Sequence, residues 1–503
     1  MNAQRPHRPN PVQRPDPLPL VDGRVDPQDL ALCMAVLARV EQLPPEHPDA
    51  VHVRRGTASI YKSYKKNRRD ERRLTISEAD RAVVAATATG SPQRIDDETA
   101  GIELVSNARG ATAGEYLRPR PCYICKQEYT VVDAFYHQLC GTCAAINHAK
   151  RDARTDLTGR SALLTGGRAK IGMYIALRLL RDGARTTITT RFPNDAARRF
   201  ASLEDSPDWL DRLRIVGIDL RDPAQVVALA DTMIAAGPLD ILINNAAQTV
   251  RRSPGAYAPL AAAESEPLPD GPLPELLSFD RVSDAHPAAL AGSLSQHLTP
   301  HLPKSLSGKD ISGMSLLAGA ASLERHHAGT AIDAGGLVPD LHTMNSWTQV
   351  VDEVDPMELL EVQLCNQTAP FILISKLRAA MAASPARRKY VVNVSAMEGV
   401  FGRGYKGPGH PHTNMAKAAL NMLTRTSAAE MFSTDGILMT AVDTGWITDE
   451  RPHFTKVRLA DEGFHAPLDL VDGAARVYDP IVQGEAGTDL YGCFLKDFQS
   501  SRW

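Results

Sequence analysis

Residues Ser161-Ala-Leu-Leu-Thr165-Gly166-Gly167-Arg168-Ala169-Lys170-Ile171-Gly172 run from an apolar stretch into a glycine-rich turn and on into an amphipathic segment, Met173 to Leu180. That order predicts a strand, a phosphate loop and a helix. The glycines let the backbone turn tightly and approach a pyrophosphate, whose charge meets free N–H groups and the positive end of the helix dipole. Thr165, Gly166, Gly167, Arg168, Lys170, Ile171 and Gly172 are thus candidate dinucleotide ligands. Glycine turns between strand and helix also arise from packing alone, so the segments further along the chain decide.

Those segments come in a definite order. Arg185-Thr-Thr-Ile-Thr-Thr190-Arg191 reads as a second strand, and Leu213-Arg-Ile-Val-Gly-Ile-Asp219-Leu220 as a third. Leu239-Asp-Ile-Leu-Ile-Asn244-Asn245-Ala246-Ala247 reads as a fourth, and Asn366-Gln-Thr-Ala-Pro-Phe371 as part of a helix. Lys389-Tyr-Val-Val-Asn-Val-Ser395 is a fifth strand, Asn414-Met-Ala-Lys417 opens a helix, and Gly436 to Thr448 supplies a sixth strand with its loop. From about Asp156 onward the chain resembles the short-chain dehydrogenase/reductase family. The resemblance implies an α/β fold with a doubly wound, Rossmann-type parallel sheet and a bound nicotinamide dinucleotide. It also assigns Asp219 and Leu220 to the adenine and makes Asn245-Ala246 part of the family's Asn-Asn-Ala-Gly signature, with Ala for Gly. Asn366 becomes the structural asparagine, and Gly445 and Ile447 part of the loop over the nicotinamide.

Charge bears on the choice of cofactor. An NAD site places an acidic residue at the end of the second strand for the ribose hydroxyls. Here Thr190-Arg191 stands there, and Arg191 suits a 2′-phosphate, with Arg168 as a second cation. NADP(H) is the expectation, with NAD the alternative. Lys170 replaces the family's usual middle glycine and resembles the pteridine-reductase branch.

The catalytic pattern departs from the family. Lys417 and Asn366 are present, but Thr413 stands four residues before Lys417, where the family has tyrosine, and a threonine hydroxyl is a poor acid near neutral pH. Ala396 occupies the expected serine position. Ser395 lies one residue earlier, on the other face of the strand unless the strand end bulges. The intervening loop, Phe401 to His412, offers Tyr405, His410 and His412 as substitute acids. The expected reaction is reduction of a carbonyl, imine or enone; the alternative is a non-catalytic dinucleotide sensor or scaffold.

The 503 residues exceed one open α/β domain, which predicts further modules. Cys122-Tyr-Ile-Cys125 and Cys140-Gly-Thr-Cys143 have the spacing that sets four thiolates around a structural zinc. The expected division is a helical, basic and partly disordered extension over 1–115, a zinc knuckle over 116–150, and the dehydrogenase-like domain over 156–503. That domain carries an insertion at about 250–345, Pro- and Ala-rich with little periodicity. Asp26 caps a predicted helix. From Arg54 to Arg73 nine Lys/Arg residues stand against Asp70 and Glu71, either a solvated helix face or a phosphate-binding one, and Thr75-Ile-Ser77-Glu78 reads as the start of another helix. With net charge −3, no long apolar run and a polar, proline-rich start, the expectation is a cytoplasmic protein away from membranes. Its expected partners are a small-molecule substrate, a second copy of the chain, and a nucleic acid or protein at the basic segment.

Overall fold

A computed structural model of the chain describes residues 23–92, 94, 104–252, 254–279, 335–448 and 450–503. The chain forms two compact units, Met1–Glu78 and Ala79–Trp503. In the first, α1 (Pro27–Glu41) starts at Asp26, whose carboxylate accepts from the backbone N–H groups of Gln28 and Asp29. Its apolar residues stay outside: Leu30 and Met34 are 53% and 60% exposed. α2 (Pro48–Ala86) is one uninterrupted helix. Thr75 therefore does not start a helix; its hydroxyl donates back to the Glu71 carbonyl, an interior arrangement that leaves no N–H to cap.

The second unit begins with the end of α2 and a hairpin, β1 (Thr112–Pro121) against β2 (Glu128–Asp133), followed by α3 (Gly141–Arg151). The doubly wound part then runs β3 (Ser161–Leu164), α4 (Lys170–Arg181), β4 (Arg185–Thr190), α5 (Pro193–Ala201), β5 (Leu213–Gly217), α6 (Pro223–Ala235) and β6 (Ile241–Asn244). After α7 (Ala258–Glu264) and β7 (Glu275–Ser278) come α8 (Pro356–Gln363), a π-helical turn (Leu364–Thr368), α9 (Ala369–Ala382), β8 (Lys389–Ser395) and α10 (Pro411–Asp435). β9 (Ile437–Asp443), α11 (His453–Asp461), α12 (Leu470–Glu485), β10 (Phe494–Lys496) and β11 (Gln499–Ser501) complete it. The sheet order is β11-β10-β9-β8-β6-β3-β4-β5-β7, parallel except for the β10–β11 hairpin.

Successive side chains of a strand face opposite sides, so Leu163 and Leu164 enter different cores. Leu164, Ile188 and Val392 pack with Ile175 and Leu179 of α4 and Tyr478 of α12. Leu163, Val216 and Val391 pack with Leu229 of α6, Leu373 of α9 and Met431 of α10. Both faces being covered, the central strands are buried almost throughout and are built mainly of apolar and β-branched residues, β4 being four threonines around Ile188.

Two expectations are corrected here. The first part of the insertion is not structureless: α7 packs on α5, and β7 extends the sheet beside β5 in parallel register, Ile215 opposite Leu276. At the sheet edge, β7 has its two leucines half-buried on opposite faces and exposed residues at its ends, so its sequence shows little period. Residues 280–334 of the insertion, and 1–22 of the extension, lie outside the described residues. The division at Glu78/Ala79 also puts the cysteine knuckle in the same unit as the dehydrogenase-like sheet. Tyr136, Leu139 and Cys143 share one apolar cluster with Ile447 and Leu468, so the knuckle packs directly on the dehydrogenase-like part, while Tyr116 and Val132 of its hairpin pack on Val84 of α2.

Candidate active site and metal centre

Strand order reverses at β3, which has β4 on one side and β6 on the other; ligands of such sheets bind beyond the carboxyl ends at this point. The loop there is tightly determined. Gly166 has φ 71°. A Cβ on Gly167 would meet Ile188 at 2.5 Å, and one on Gly172 would stand 1.9 Å from the Gly166 carbonyl oxygen. Lys170 opens α4 at φ 54°, so a lysine adopts the left-handed conformation that a glycine holds more cheaply. Thr165 Oγ1 accepts from the N–H groups of Asn245 and Ala246, both at 3.0 Å, and Asn245 Nδ2 donates to the carbonyls of Thr165 and Gly166. Thr165, Gly167, Gly172 and Asn245 thus build the loop from behind.

In front of it lies a cavity of about 300 Å³ lined by Gly166, Arg168, Lys170, Arg191, Asp219, Leu220 and Ala246, among others. Seven of the sequence candidates meet there. Arg191 lies over the Tyr257 ring at 5.1 Å and donates to its hydroxyl, while Tyr257 stacks on Phe192 with centroids 6.0 Å apart. Arg168 is paired with Asp195, which also takes Arg199, so its charge is already compensated. Asp219 is held by Arg221 at 2.7 Å, and Arg221 reaches on to Glu361. Sequence reading missed Tyr257; an isolated aromatic in Pro254-Gly-Ala-Tyr257-Ala-Pro was the available signal.

The catalytic candidates lie on β8, α10, the loop between them and the π turn before α9. Asn366, held in that turn, accepts from Gln248 N at 2.7 Å and donates to Gln248 O at 2.9 Å. Lys417 is buried and donates from Nζ to the Val394 carbonyl at 2.8 Å. Burial pushes its amine down to about 8, with Cys365 and Glu398 opposing. Thr413, also buried, donates to the His410 carbonyl. β8 pairs with β9 without a bulge up to Ser395 opposite Asp443, and Ser395 donates to Asn421 Oδ1 at 2.6 Å. Its hydroxyl is committed to α10. Tyr405 is 76% exposed, outside any dry pocket where a phenol could be tuned. His410 stacks on Trp347 at 3.9 Å, and burial holds its imidazole below the usual range. His412 is buried, with Nε2 3.7 Å from Glu358. Neither histidine is exposed.

Cys122, Cys125, Cys140 and Cys143 come together at the β1–β2 turn and the start of α3. Their sulfurs all lie within 4.8 Å of one another, with Cys125 and Cys140 at 3.6 Å. Zinc–sulfur bonds of about 2.3 Å in a tetrahedron put sulfurs about 3.8 Å apart, so the donor set fits a closed zinc site. The Cys140 N–H donates to Cys122 Sγ, the kind of support a thiolate needs. His137 and His148 are not ligands: His137 contacts Thr89 and Gln138, and His148 contacts Asp133. The knuckle grips the loop after β9. Tyr123, between two of the cysteines, accepts from Trp446 N at 3.0 Å, and Ile447 packs in the knuckle's cluster with Ile171 of α4. Gly445, at φ 76°, has no room for a Cβ beside Leu468.

Among the described residues, no helix is long and apolar enough to cross a membrane. The family model for short chain dehydrogenase matches residues 160–263. The uncharacterized protein R665 of Acanthamoeba polyphaga mimivirus is 30% identical over 374 residues, covering 72% of this chain and 71% of that protein. A short-chain type dehydrogenase/reductase of Picea abies is 38% identical over 103 residues, so the match spans 20% of this chain and 38% of the relative. A short chain dehydrogenase from Burkholderia cenocepacia, solved in complex with NADP, has a TM-score of 0.41 at 18% identity, covering 68% of this chain and 97% of that one. The glycine loop at the switch point of a parallel sheet, and the match of the dehydrogenase model to it, lead to one conclusion: this chain belongs to the short-chain dehydrogenase/reductase family.

Proposed function

We propose that the protein is an NADP(H)-dependent reductase of a carbonyl, imine or enone, and that a structural zinc holds its cysteine knuckle. The observation that carries the reading is the pairing of a dinucleotide crevice with a buried Lys417 and a locked Asn366. When bound, NADPH supplies the hydride. Arg191, with Tyr257 beneath it, is the cation for the 2′-phosphate. Lys170 and the N–H groups at the start of α4 take the pyrophosphate. Lys417 replaces the missing phenol: its ammonium, held low by burial, releases a proton near neutral pH far more readily than Thr413. Asn366 fixes the Gln248 backbone beside it. Cys122, Cys125, Cys140 and Cys143 would hold the zinc with four thiolates, which would leave no open position for substrate and give the metal a structural role.

Thr413 and Ala396 favour a second reading, a dinucleotide sensor without turnover, since both side chains that orient and protonate a carbonyl in this family are missing. NADPH oxidation by the full chain against carbonyl, pterin and enone substrates separates the two. The reductase reading expects turnover that Lys417→Ala abolishes and Thr413→Val reduces less. Tight NADPH binding with no turnover on the whole panel, and Lys417→Ala merely weakening that binding, replaces the reductase with the sensor.

A further inference from the structure

The nine Lys/Arg residues between Arg54 and Arg73 are all exposed on α2. At 100° per residue, Arg54, Arg55, Lys62, Lys65, Lys66, Arg68, Arg69, Arg72 and Arg73 fall within an arc of about 160°, and the stripe is about 28 Å long. Asp70 and Glu71 lie outside that arc. Only Arg54 has its side chain engaged, on the carbonyls of Ala50 and Pro45; among the described residues the other eight form no ion pair.

A merely solvated helix intersperses its charges so that Glu and Lys meet four residues apart. Here the pairs Lys62–Lys66, Lys65–Arg69, Arg68–Arg72 and Arg69–Arg73 are alike and outnumber the single opposite pair at that spacing, Lys66–Asp70, an arrangement that destabilises an isolated helix. A polyanion along the stripe removes that repulsion. The opposite side argues against a bilayer as the polyanion. Ile60, Tyr64 and Leu74 are exposed there, but Ser63, Asn67, Asp70 and Glu71 stand among them, which gives neither a continuous apolar face nor a surface compatible with anionic headgroups.

We infer that this face of α2 is a sequence-independent docking site for the phosphate backbone of a nucleic acid, a function separate from the dinucleotide crevice. One cation every few ångströms along 28 Å matches a duplex, which carries a charge per about 1.7 Å of axis. The contacts are to phosphates, so the site reads charge and not bases.

The experiment titrates the full chain into a fluorescein-labelled 20-base-pair duplex of arbitrary sequence and follows polarisation from 50 to 200 mM NaCl. Six or more phosphate contacts predict a loss of affinity of about a thousandfold over that range. Arg68→Gln with Arg69→Gln, Arg72→Gln and Arg73→Gln should weaken binding at least tenfold at 50 mM salt, and Asp70→Asn with Glu71→Gln should tighten it, with helix content checked by circular dichroism. Duplex binding that is absent at 50 mM salt, insensitive to salt, or unchanged in the quadruple variant overturns the inference. So does binding to phosphatidylserine vesicles or polyglutamate in place of the duplex. NADPH affinity, measured in the same variants, tests the crevice independently.

Discussion

Arg94 is 4% exposed and donates to four carbonyls: Thr89 at 3.0 Å, Ala466 at 2.8 Å, Ile447 at 3.1 Å and Leu468 at 2.6 Å. It ties the segment after α2 to the loop beyond β9 and to the lead into α12. Hydrogen bonds from a charged donor contribute about 1.5 to 3 kcal/mol each, which sets a ceiling of roughly 6 to 12 kcal/mol for the four. Taking the guanidinium out of water offsets several of these. Arg94→Met keeps most of the side-chain volume, removes every donor and leaves the carbonyls dry, so the expected net loss is about 3 kcal/mol of unfolding free energy. Arg94→Lys retains a charge with three donors and should recover part of it. Urea unfolding of the full chain measures the loss. Because Ile447 belongs to the loop expected over the nicotinamide, NADPH affinity should fall in the same order, Arg above Lys above Met. A loss below about 1 kcal/mol for Met, or Lys no better than Met, refutes the idea that these four bonds lock the loop.

Cys140→Ser should drop zinc from about one per chain to none by elemental analysis and lower stability, whereas a wild-type protein free of metal and equally stable removes the zinc centre. Arg191→Asp should reduce affinity for NADPH relative to NADH; equal affinities in the unmodified chain would show that Arg191 reads no phosphate. Burial raises the Asp443 carboxyl to about 6, with Asp497 and Glu398 adding to it. The protonated form is thus the one the fold prefers: its contribution is complete below the ordinary carboxylate range and is lost as pH rises from about 4 to about 6. At about 1.4 kcal/mol per tenfold change in proton affinity, Asp443→Asn should stabilise the protein by about 3 kcal/mol at pH 8 and not at pH 3, as read from urea midpoints. With Lys417 as proton donor, reduction should slow as pH rises through about 8, and a rate flat to pH 10 would assign the proton elsewhere.

The sequence by itself determined what depends on neighbours along the chain. Ser161 to Gly172 dictates strand, loop and helix because apolar period, glycine positions and the following amphipathic turn are local properties. The cysteine spacing is local in the same sense: each Cys-x-x-Cys pair needs only its own turn to offer two sulfurs to one point. Strands β3 to β6, β8 and β9 were legible because parallel strands buried on both faces read as short runs of apolar and β-branched residues, whereas β7, at the sheet edge, was not. What only the tertiary structure decided depends on contacts between distant segments. Tyr257 under Arg191 joins an insertion to the end of β4, and nothing in the spacing of either requires it. Ser395 goes to Asn421, not to a carbonyl, because β8 runs to its end without the bulge that would turn it. Tyr405, a plausible acid by type, lies in solvent, while Lys417 acquires its lowered proton affinity from burial beside β8, against the opposing influence of Cys365 and Glu398. The knuckle, readable as four ligands, proves to be packed through Tyr123 and Ile447 on the loop after β9. A motif names the donor atoms; only the fold sets their desolvation and their partners.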